Sequence, residues 1–310
     1  MEIEFLITGG AGFIGSKVCA NLENNNIDYL IVDDLSKGKI NNVIDKKKFI
    51  ELDCSSNEFQ NWLKSIRPKH IIHLCGQSSG ERSHEDPSND FIRNVLTTRR
   101  IISASESNEN LESLSFASSM SVYGNKLNAN ENDIPEPLSW YGKHKLLSEK
   151  LIRDFSKIKP NLKCNCLRLF NVYGKGQDLS DLKQGMVSIF IAMAIKNKKI
   201  IVKGPSNRIR DFINVKDVVQ AFLNAAKRNK GNNYEVFNIA AGLGIKINYL
   251  VDFIASEVNT DFQYKNERTP FDQDYCSANI SKSKIILDFS PRYELESELK
   301  EMINWAKKIL

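Results

Sequence analysis

The stretch ITGGAGFIGS, residues 7–16, follows an apolar run and precedes a segment with helical apolar spacing. Glycines recur in it at every third residue, at Gly9, Gly12 and Gly15. Where a strand passes into a helix, this spacing allows a tight turn, close backbone approach to a pyrophosphate, and helix N-terminal amides directed at it. A glycine-rich stretch alone could equally be a flexible turn, so its surroundings decide between the two interpretations.

Apolar runs alternate with helically spaced segments through the first half of the chain. Buried strands are predicted in IEFLIT, DYLIVD, KFIELD, KHIIHL, LESLSFA and CNCLRLF. Helices are predicted between them in SKVCANLENN, NEFQNWLKSI, DPSNDFIRNVLTTRRIISASES and SWYGKHKLLSEKLIRDFSKI. This alternation favours an α/β fold in which a doubly wound parallel sheet is covered by helices on both faces.

The order of predicted elements becomes less regular after residue 171. A loop is followed by a helix near 186–197, further short elements, and a closing amphipathic helix in ELESELKEMINWAKKIL. We therefore predict a dinucleotide-binding domain in residues 1–171 and a smaller α/β substrate domain in residues 172–310. The two are expected to interleave, with segments near 204–240 returning to the first domain.

The composition excludes several classes of protein. The net charge of +5 comes from 43 basic and 38 acidic side chains spread along the chain, which does not indicate a nucleic-acid site. No window approaches about 18 uncharged apolar residues, and the N-terminus MEIEF is acidic, so no membrane span or secretion is predicted and a cytoplasmic location is expected. The six scattered cysteines are expected to be reduced thiols, and Cys164 and Cys166 lack a partner pair for a metal site.

A carboxylate ends the second predicted strand. The run DYLIVDD places Asp33 18 residues after Gly15, where a carboxylate can accept hydrogen bonds from an adenosine ribose. It would also repel a 2'-phosphate, and no Arg follows immediately, so NAD is predicted over NADP. Lys37 and Lys39 keep NADP as an alternative.

Tyr141 and Lys145 in WYGKHK lie four residues apart in a predicted helix and share one face. A free tyrosine has a pKa of about 10, and an adjacent cation lowers it toward that of a useful base. The run FASSMSVYG adds Ser118 and Ser119 at a strand end, the edge where doubly wound sheets bind ligands. Tyr-x-x-x-Lys alone is common on helix surfaces, but with the glycine loop and Asp33 it predicts a catalytic group.

The combination TGGAGFIG, VDDLSKG, HLCGQSS, FASSMSVYG, YGKHK, LRLFNVYG and RIRDFINVKDVV resembles the extended short-chain dehydrogenase/reductase family, specifically its nucleotide-sugar epimerases and dehydratases. The resemblance extends from residue 4 to about residue 309. It implies a Rossmann domain that binds NAD and a C-terminal domain that binds a nucleoside diphosphate sugar. Helices near 86–105 and 139–157 resemble those that pair in the family's homodimers, although their apolar faces could equally serve the monomer core.

The resemblance implies a role for each matching residue. It assigns to the cofactor Gly9, Gly12, Phe13, Ile14, Gly15, Asp33, Asp53, Cys54, Leu74, Asn94, Tyr141 and Lys145. Asp53 would meet the adenine, and Asn94 would hold the cofactor-side helix in place. Tyr141 would be the base, with Lys145 as its electrostatic partner and nicotinamide-ribose ligand. Ser119 would be the second hydroxyl on the sugar oxygen, and His144 within the same motif is expected to point off the catalytic face.

The resemblance assigns substrate binding to Ser119, Asn171, Arg210, Arg268 and Cys276. Asn171, Arg210 and Arg268 match positions that grip the diphosphate, a task suited to guanidinium groups. Cys276 aligns near a position where a bulky aromatic blocks N-acetyl sugars in some epimerases, with an ambiguity of one residue. A small thiol would leave room, so N-acetylhexosamines are candidate substrates.

The residues after Ser119 discriminate between the family's reactions. Dehydratases that resemble this chain carry an acid pair, commonly Asp-Glu, where it has Met120 and Ser121. A thioether neither donates nor accepts the required proton, which disfavours loss of water, and the Glu usual in related decarboxylases is also absent. The prediction is a 4-epimerase that forms a transient 4-keto sugar and retains NAD. A nucleotide-sugar 4-dehydrogenase or keto-reductase is the alternative, followed by a non-catalytic dinucleotide sensor.

Several positions depart from the family pattern. Cys75 and Gly76 replace a usual pair of alanines, Thr97 replaces a Gly, and Asp34 replaces an Asn. With the unusual segment GQSSGERS, these changes suggest a subgroup whose substrate need not be galactose or glucose.

Overall fold

The computed structural model describes residues 2–265, 267 and 271–310. In chain order the strands are β1 (Glu2–Thr8), β2 (Tyr29–Asp33), β3 (Phe49–Glu51), β4 (Arg67–His73), β5 (Ser113–Ser119), β6 (Lys126–Ala129), β7 (Lys163–Leu169), β8 (Asn171–Tyr173), β9 (Lys199–Lys203), β10 (Ile209–Asn214), β11 (Tyr234–Ile239), β12 (Gly244–Lys246), β13 (Asp261–Lys265) and β14 (Tyr275–Ala278). The α-helices are α1 (Phe13–Asn24), α2 (Asn57–Ser65), α3 (Gly80–Glu85), α4 (Pro87–Phe91), α5 (Thr97–Ser105), α6 (Trp140–Ile158), α7 (Met186–Asn197), α8 (Val215–Ala226), α9 (Ile247–Val258), α10 (Ser281–Leu287) and α11 (Leu295–Ile309).

The large sheet is parallel and doubly wound, as predicted. Its seven strands lie in the order β11-β7-β5-β4-β1-β2-β3, and every neighbouring pair is parallel. From β1 the chain moves outward to β2 and β3, then returns to β4 on the other side. The switch point therefore lies at the carboxyl ends of β1 and β4, where ligands bind in open α/β sheets.

Alternating side chains on β1 explain why helices cover both faces. Phe5 and Ile7 pack in one apolar cluster with Val18 of α1 and Phe222 of α8. Leu6 points to the other face and belongs to a cluster that contains Phe59, Ile101 and Ile152, which come from α2, α5 and α6. Side chains two residues apart on a strand share a face, so a fully apolar strand requires cover on both sides.

The long helix predicted over 86–107 is interrupted near the switch point. It forms as α4, a π-helical turn at Ile92–Leu96, and then α5. The Thr97 hydroxyl donates to the Ile92 carbonyl at 3.2 Å within this turn. Such π-helical turns often occur at functional sites, and this one contains Asn94.

The remaining elements form a second layer beside the large sheet. Strands β12, β10, β14 and β6 form a smaller sheet, with β8 paired to β10, and β9 pairs with β13. Helices α7, α9 and α11 share a separate apolar cluster. Strand β11 joins the large sheet and α8 packs on it, while the domain boundary at residue 171 stays a prediction.

Two further properties follow from the described part of the chain. None of its helices combines the length and the apolar character that crossing a bilayer requires. All six cysteines are free thiols.

Candidate active site

The glycine loop forms a close-fitting cradle at the end of β1. Gly9 has a φ of +75°, and a Cβ there would lie 2.6 Å from the Cys75 nitrogen. A Cβ on Gly15 would lie 2.2 Å from the Gly9 carbonyl oxygen. Gly12 caps α1 without a side-chain hydrogen bond, so no side chain competes for the first-turn amides. The loop therefore fits a dinucleotide diphosphate, which helix N-terminal amides bind well.

Asp33 is buried beside this loop at the end of β2. Its carboxylate accepts hydrogen bonds from the Ala11 amide at 3.0 Å and the Leu35 amide at 2.9 Å. Burial raises the pKa of Asp33 to about 6, so the group is ionised at neutral pH. It is thus held where a ribose hydroxyl could donate to it.

Arg93 links two carboxylates beside Asp33, a connection that sequence reasoning missed. Its guanidinium forms an ion pair with Asp34 and lies 3.4 Å from an Asp53 carboxylate oxygen. Lys37 and Lys39 point to Asp181 and Asp178, at 3.6 Å and 3.3 Å. All three nearby cations thus have acidic partners, which favours NAD over NADP.

The other predicted cofactor residues surround the same edge of the sheet. Phe13 and Ile14 begin α1 and are half-buried. Cys54 is buried against the Cys75 thiol. The Leu74 amide donates to the Thr8 carbonyl oxygen at 3.0 Å, which continues the pairing of β1 with β4.

Tyr141, Lys145 and Ser119 lie together at the carboxyl end of β5. The Ser139 hydroxyl caps α6 by accepting from the Gly142 amide at 3.1 Å, so Tyr141 and Lys145 occupy its first two turns. The Ser119 hydroxyl is close enough to lower the pKa of the Tyr141 phenol, and it hydrogen-bonds to the Ser121 hydroxyl at 3.2 Å. Ser118 faces the other side of the strand and donates to Glu149 at 2.5 Å. Strand alternation thus selects Ser119 over Ser118.

The electrostatics of this group differ from our expectation. Burial raises the pKa of Tyr141 to about 12, because desolvation outweighs the opposing hydrogen bond from Ser119. Burial lowers the pKa of Lys145 to about 8. The Lys145 ammonium donates to the Ala117 carbonyl at 2.9 Å and lies 5.7 Å from the centre of the tyrosine ring. The surrounding protein residues therefore raise the pKa of Tyr141, contrary to the prediction that Lys145 lowers it.

The predicted substrate residues extend from this group toward the smaller sheet. The Asn171 amide donates to the Asp211 carbonyl at 2.8 Å and lies 3.4 Å from the Met120 sulfur. Arg210 is buried on β10, with Asp272 at 2.8 Å as its ion-pair partner. Cys276, its register partner on β14, is fully buried in an apolar cluster. Arg268 lies outside the described residues.

Asp90 and His144 are further buried groups beside the catalytic group. His144 was expected to point off the catalytic face, but its side chain is buried and its Nδ1 lies 2.5 Å from an Asp90 carboxylate oxygen. The two residues lie 54 positions apart in sequence, and neither has a motif that pairs it with the other.

The loop 174–185 contacts residues beside the glycine loop and Asp33. A Cβ on Gly176 would lie 3.1 Å from the Lys17 ammonium of α1. Asp181 accepts two hydrogen bonds from Arg82 of α3, at 2.6 Å and 2.8 Å, and also approaches Lys37. This loop therefore contacts elements that follow β1, β2 and β4.

A comparison with known proteins agrees with this arrangement. The sequence profile of the NAD dependent epimerase/dehydratase family matches residues 5–240. The chain belongs to the NAD-dependent epimerase/dehydratase family. Membership confirms the predicted family, the Rossmann fold and the assignment as an NAD-dependent enzyme.

Three proteins named as 4-epimerases are similar to this chain over nearly its whole length. A putative UDP-glucose 4-epimerase of Methanocaldococcus jannaschii is 32% identical over 97% of this chain and 98% of its own length. The UDP-glucose 4-epimerase of Thermotoga maritima, solved with UDP-glucose, has a TM-score of 0.90 and 30% identity, with coverage of 100% and 99%. The UDP-N-acetylglucosamine 4-epimerase of Methanobrevibacter ruminantium M1, solved with UDP-N-acetylmuramic acid, has a TM-score of 0.89 and 28% identity, with coverage of 100% and 99%.

Proposed function

We propose that this protein is a nucleotide-sugar 4-epimerase that acts on a UDP-hexose or a UDP-N-acetylhexosamine through a transient 4-keto sugar. The proposal rests mainly on one observation. Ser119, Tyr141 and Lys145 lie at the same switch point of the large sheet as the glycine loop. The similar proteins named as 4-epimerases support C4 as the sugar carbon that is oxidised and inverted. Met120 and Ser121 support it too, because neither supplies the acid pair that elimination of water requires.

The roles of the chain's residues follow from their contacts. Ser119 orients the sugar 4-hydroxyl by hydrogen bonding beside Tyr141, and the Tyr141 phenolate takes the hydroxyl proton as the C4–H bond breaks and C4 gives up a hydride. Bound NAD supplies the acceptor for the hydrogen from C4 and, when oxidised, a positive charge. Such a charge favours the phenolate of Tyr141, whose pKa burial otherwise raises. After the keto sugar turns over, the hydride would return to the opposite face of C4 while Tyr141 gives its proton back to the C4 oxygen.

The residues on β14 bear on the choice of sugar. On β14, Cys276 points into the molecule, whereas Tyr275 is exposed. We therefore propose Cys276, rather than Tyr275, as the residue that corresponds to the aromatic position near the sugar. A thiol there favours acceptance of an N-acetyl group at C2.

A second copy of this chain is the proposed protein partner. Phe91, Ile92, Trp140 and Leu147 on the α4 and α6 side of the molecule are exposed, each by between 38% and 42% of its surface. Large apolar side chains grouped on one face are typical of contact surfaces. We place the dimer interface on this face.

The function is tested with purified protein and no added cofactor. We expect a sample incubated with UDP-GlcNAc or UDP-glucose to form the 4-epimer, detected by proton NMR, while GDP-mannose stays unchanged. UDP-glucuronate is tested as a third UDP-sugar. Stoichiometric reduction of NAD without an isomer would instead identify a dehydrogenase or keto-reductase. If none of the nucleotide sugars is converted and no NAD is reduced, the protein is a dinucleotide sensor.

A further inference from the structure

Asp90 of α4 is a buried carboxylate whose two oxygens both have partners. One oxygen lies 2.5 Å from His144 Nδ1. The other accepts hydrogen bonds from the Gln77 amide at 2.7 Å and the Asn94 amide at 3.1 Å. Only 1% of Asp90 is exposed, and a buried anion with this many donors is held in a single position.

His144 fixes this carboxylate to the catalytic helix. It lies between Tyr141 and Lys145 on α6, one residue before the lysine. Its ring stacks on Trp140 with centres 5.8 Å apart and meets the edge of Phe91 at 5.5 Å. The rings confine the imidazole, so its bond to Asp90 ties α4 to the first turns of α6.

Asn94 extends the connection toward the Lys145 ammonium. While its amide nitrogen donates to Asp90, its amide oxygen is buried without a hydrogen-bond partner among the described residues. A Cβ on Gly76 would lie 2.6 Å from that oxygen and 3.5 Å from the Lys145 nitrogen. Both atoms therefore lie close to Gly76, and the Asn94 side chain joins this position to Asp90 through its amide nitrogen.

We propose that Asp90, held by His144, is the counter-charge that sets the electrostatic potential at Tyr141 and Lys145. The inference rests on the proposed function, because it assigns Asp90 a positioning role through those two residues. The anion keeps Lys145 cationic in its buried position, and it makes the Tyr141 phenolate harder to form. Asp90 thereby fixes the pH range in which base and cation coexist.

The charges that face this group define the expected direction. Lys145 is faced by Asp90, by Cys75 after β4, and by Glu149 of α6, and each raises its pKa against burial. Tyr141 is faced by Asp90, which raises its pKa. Asp90 itself is faced by His84 of α3 and by His144 and Lys145 of α6.

The sign of the effect is the same for both catalytic residues. In the protein with oxidised NAD bound, whose charge favours the Tyr141 phenolate, we expect activity to rise with pH as Tyr141 loses its proton and to fall as Lys145 loses its own. Removal of the Asp90 anion lowers both pKa values, because it stabilised the protonated form of each group. Both limbs of the pH profile should therefore move to lower pH.

The test compares pH profiles of kcat for the wild type and Asp90→Asn, which keeps the size of the side chain. We expect both limbs to shift down by roughly half a unit or more. Asp90→Glu, which keeps the charge, should restore both limbs toward the wild-type values. Asp154→Asn is the matched control, because Asp154 is an exposed anion of the catalytic helix α6 that pairs with Lys157. Asp90→Ser is a second neutral variant if Asp90→Asn does not fold.

A second readout separates this inference from the proposed function. The tyrosinate absorbance of Asp90→Asn is titrated against that of Asp90→Asn combined with Tyr141→Phe, and this difference gives the pKa of Tyr141 without turnover. If the pKa of Tyr141 is lower in Asp90→Asn than in the protein that keeps Asp90, the result supports the counter-charge even if no substrate is converted. A slower enzyme with unmoved limbs and an unchanged tyrosine titration would overturn it and leave Asp90 a merely structural role.

Discussion

At the scale of single residues, the site combines a base with a high pKa and a cation with a low one. Burial causes both shifts, raising the pKa of Tyr141 and lowering that of Lys145. Sequence spacing predicted that the two side chains share a helix face, which is correct. It could not predict the desolvation, because burial depends on β4, β5 and α4, which pack around them.

Tyr141→Phe removes the proposed proton acceptor and leaves the ring in place. We expect turnover to fall by a factor of about 10² to 10⁴, the usual contribution of a positioned acid or base. NAD should stay bound, because the glycine loop and Asp33 are unchanged, and this is measured by absorbance after denaturation. Near-normal turnover in this variant would remove Tyr141 from the mechanism.

The Asp90 and His144 pair shows where sequence reasoning fails at this scale. Residues 54 positions apart become neighbours only because α4 and α6 cross the same sheet edge. Asp34 and Arg93 illustrate the same point, since they are 59 positions apart and still form an ion pair. Contacts of this range depend on the fold and have no local sequence signal.

At the scale of secondary structure, local patterns predicted most of the large sheet. Each of the six predicted strands forms, and all except the edge strand β3 are largely buried, as apolar runs bounded by turn residues predict. The π-helical turn at Ile92–Leu96 was not predicted, because the residue pattern there continues that of an ordinary helix. Strand β11 was not predicted from a sequence run of its own, although segments near 204–240 were expected to return to the first domain.

The loop 174–185 should slow the release of NAD. Asp181→Asn breaks its ion pair with Arg82, which contributes on the order of 1 kcal/mol or less. We expect the rate of NAD dissociation to rise about fivefold or less, as measured by stopped-flow fluorescence, with a larger effect at low salt. Asp288→Asn, which breaks the exposed pair with Lys230, is the control. Equal dissociation rates in both variants would contradict a role for this loop in cofactor retention.

At the scale of the whole molecule, the fold brings the cofactor loop, the catalytic helix and the smaller sheet to one edge. The glycine motif, Asp33 and the Tyr–Lys pair predicted this edge from sequence, because parallel strands collect their carboxyl ends together. The position of the smaller sheet was beyond such reasoning. Its strands come from β6, β8, β10, β12 and β14, which are scattered from residue 126 to residue 278.

Leu147→Glu tests the proposed homodimer. Leu147 is 38% exposed on α6, so a charge there does not disturb the monomer core but meets an apolar partner surface. We expect the wild type to sediment as a dimer and Leu147→Glu as a monomer in analytical ultracentrifugation. Ile285→Glu, on the exposed side of α10, should stay dimeric. A monomeric wild type, or identical sedimentation of all three proteins, would contradict the interface.

The central claim is that hydrogen leaves C4 of the sugar and returns to the same carbon within one active site. The most direct measurement uses UDP-glucose or UDP-GlcNAc labelled with deuterium at C4, with no added NAD, followed by NMR of the product. We predict a 4-epimer that keeps the deuterium at C4. Exchange of the label with solvent, or its transfer to NAD without formation of an epimer, would contradict the account.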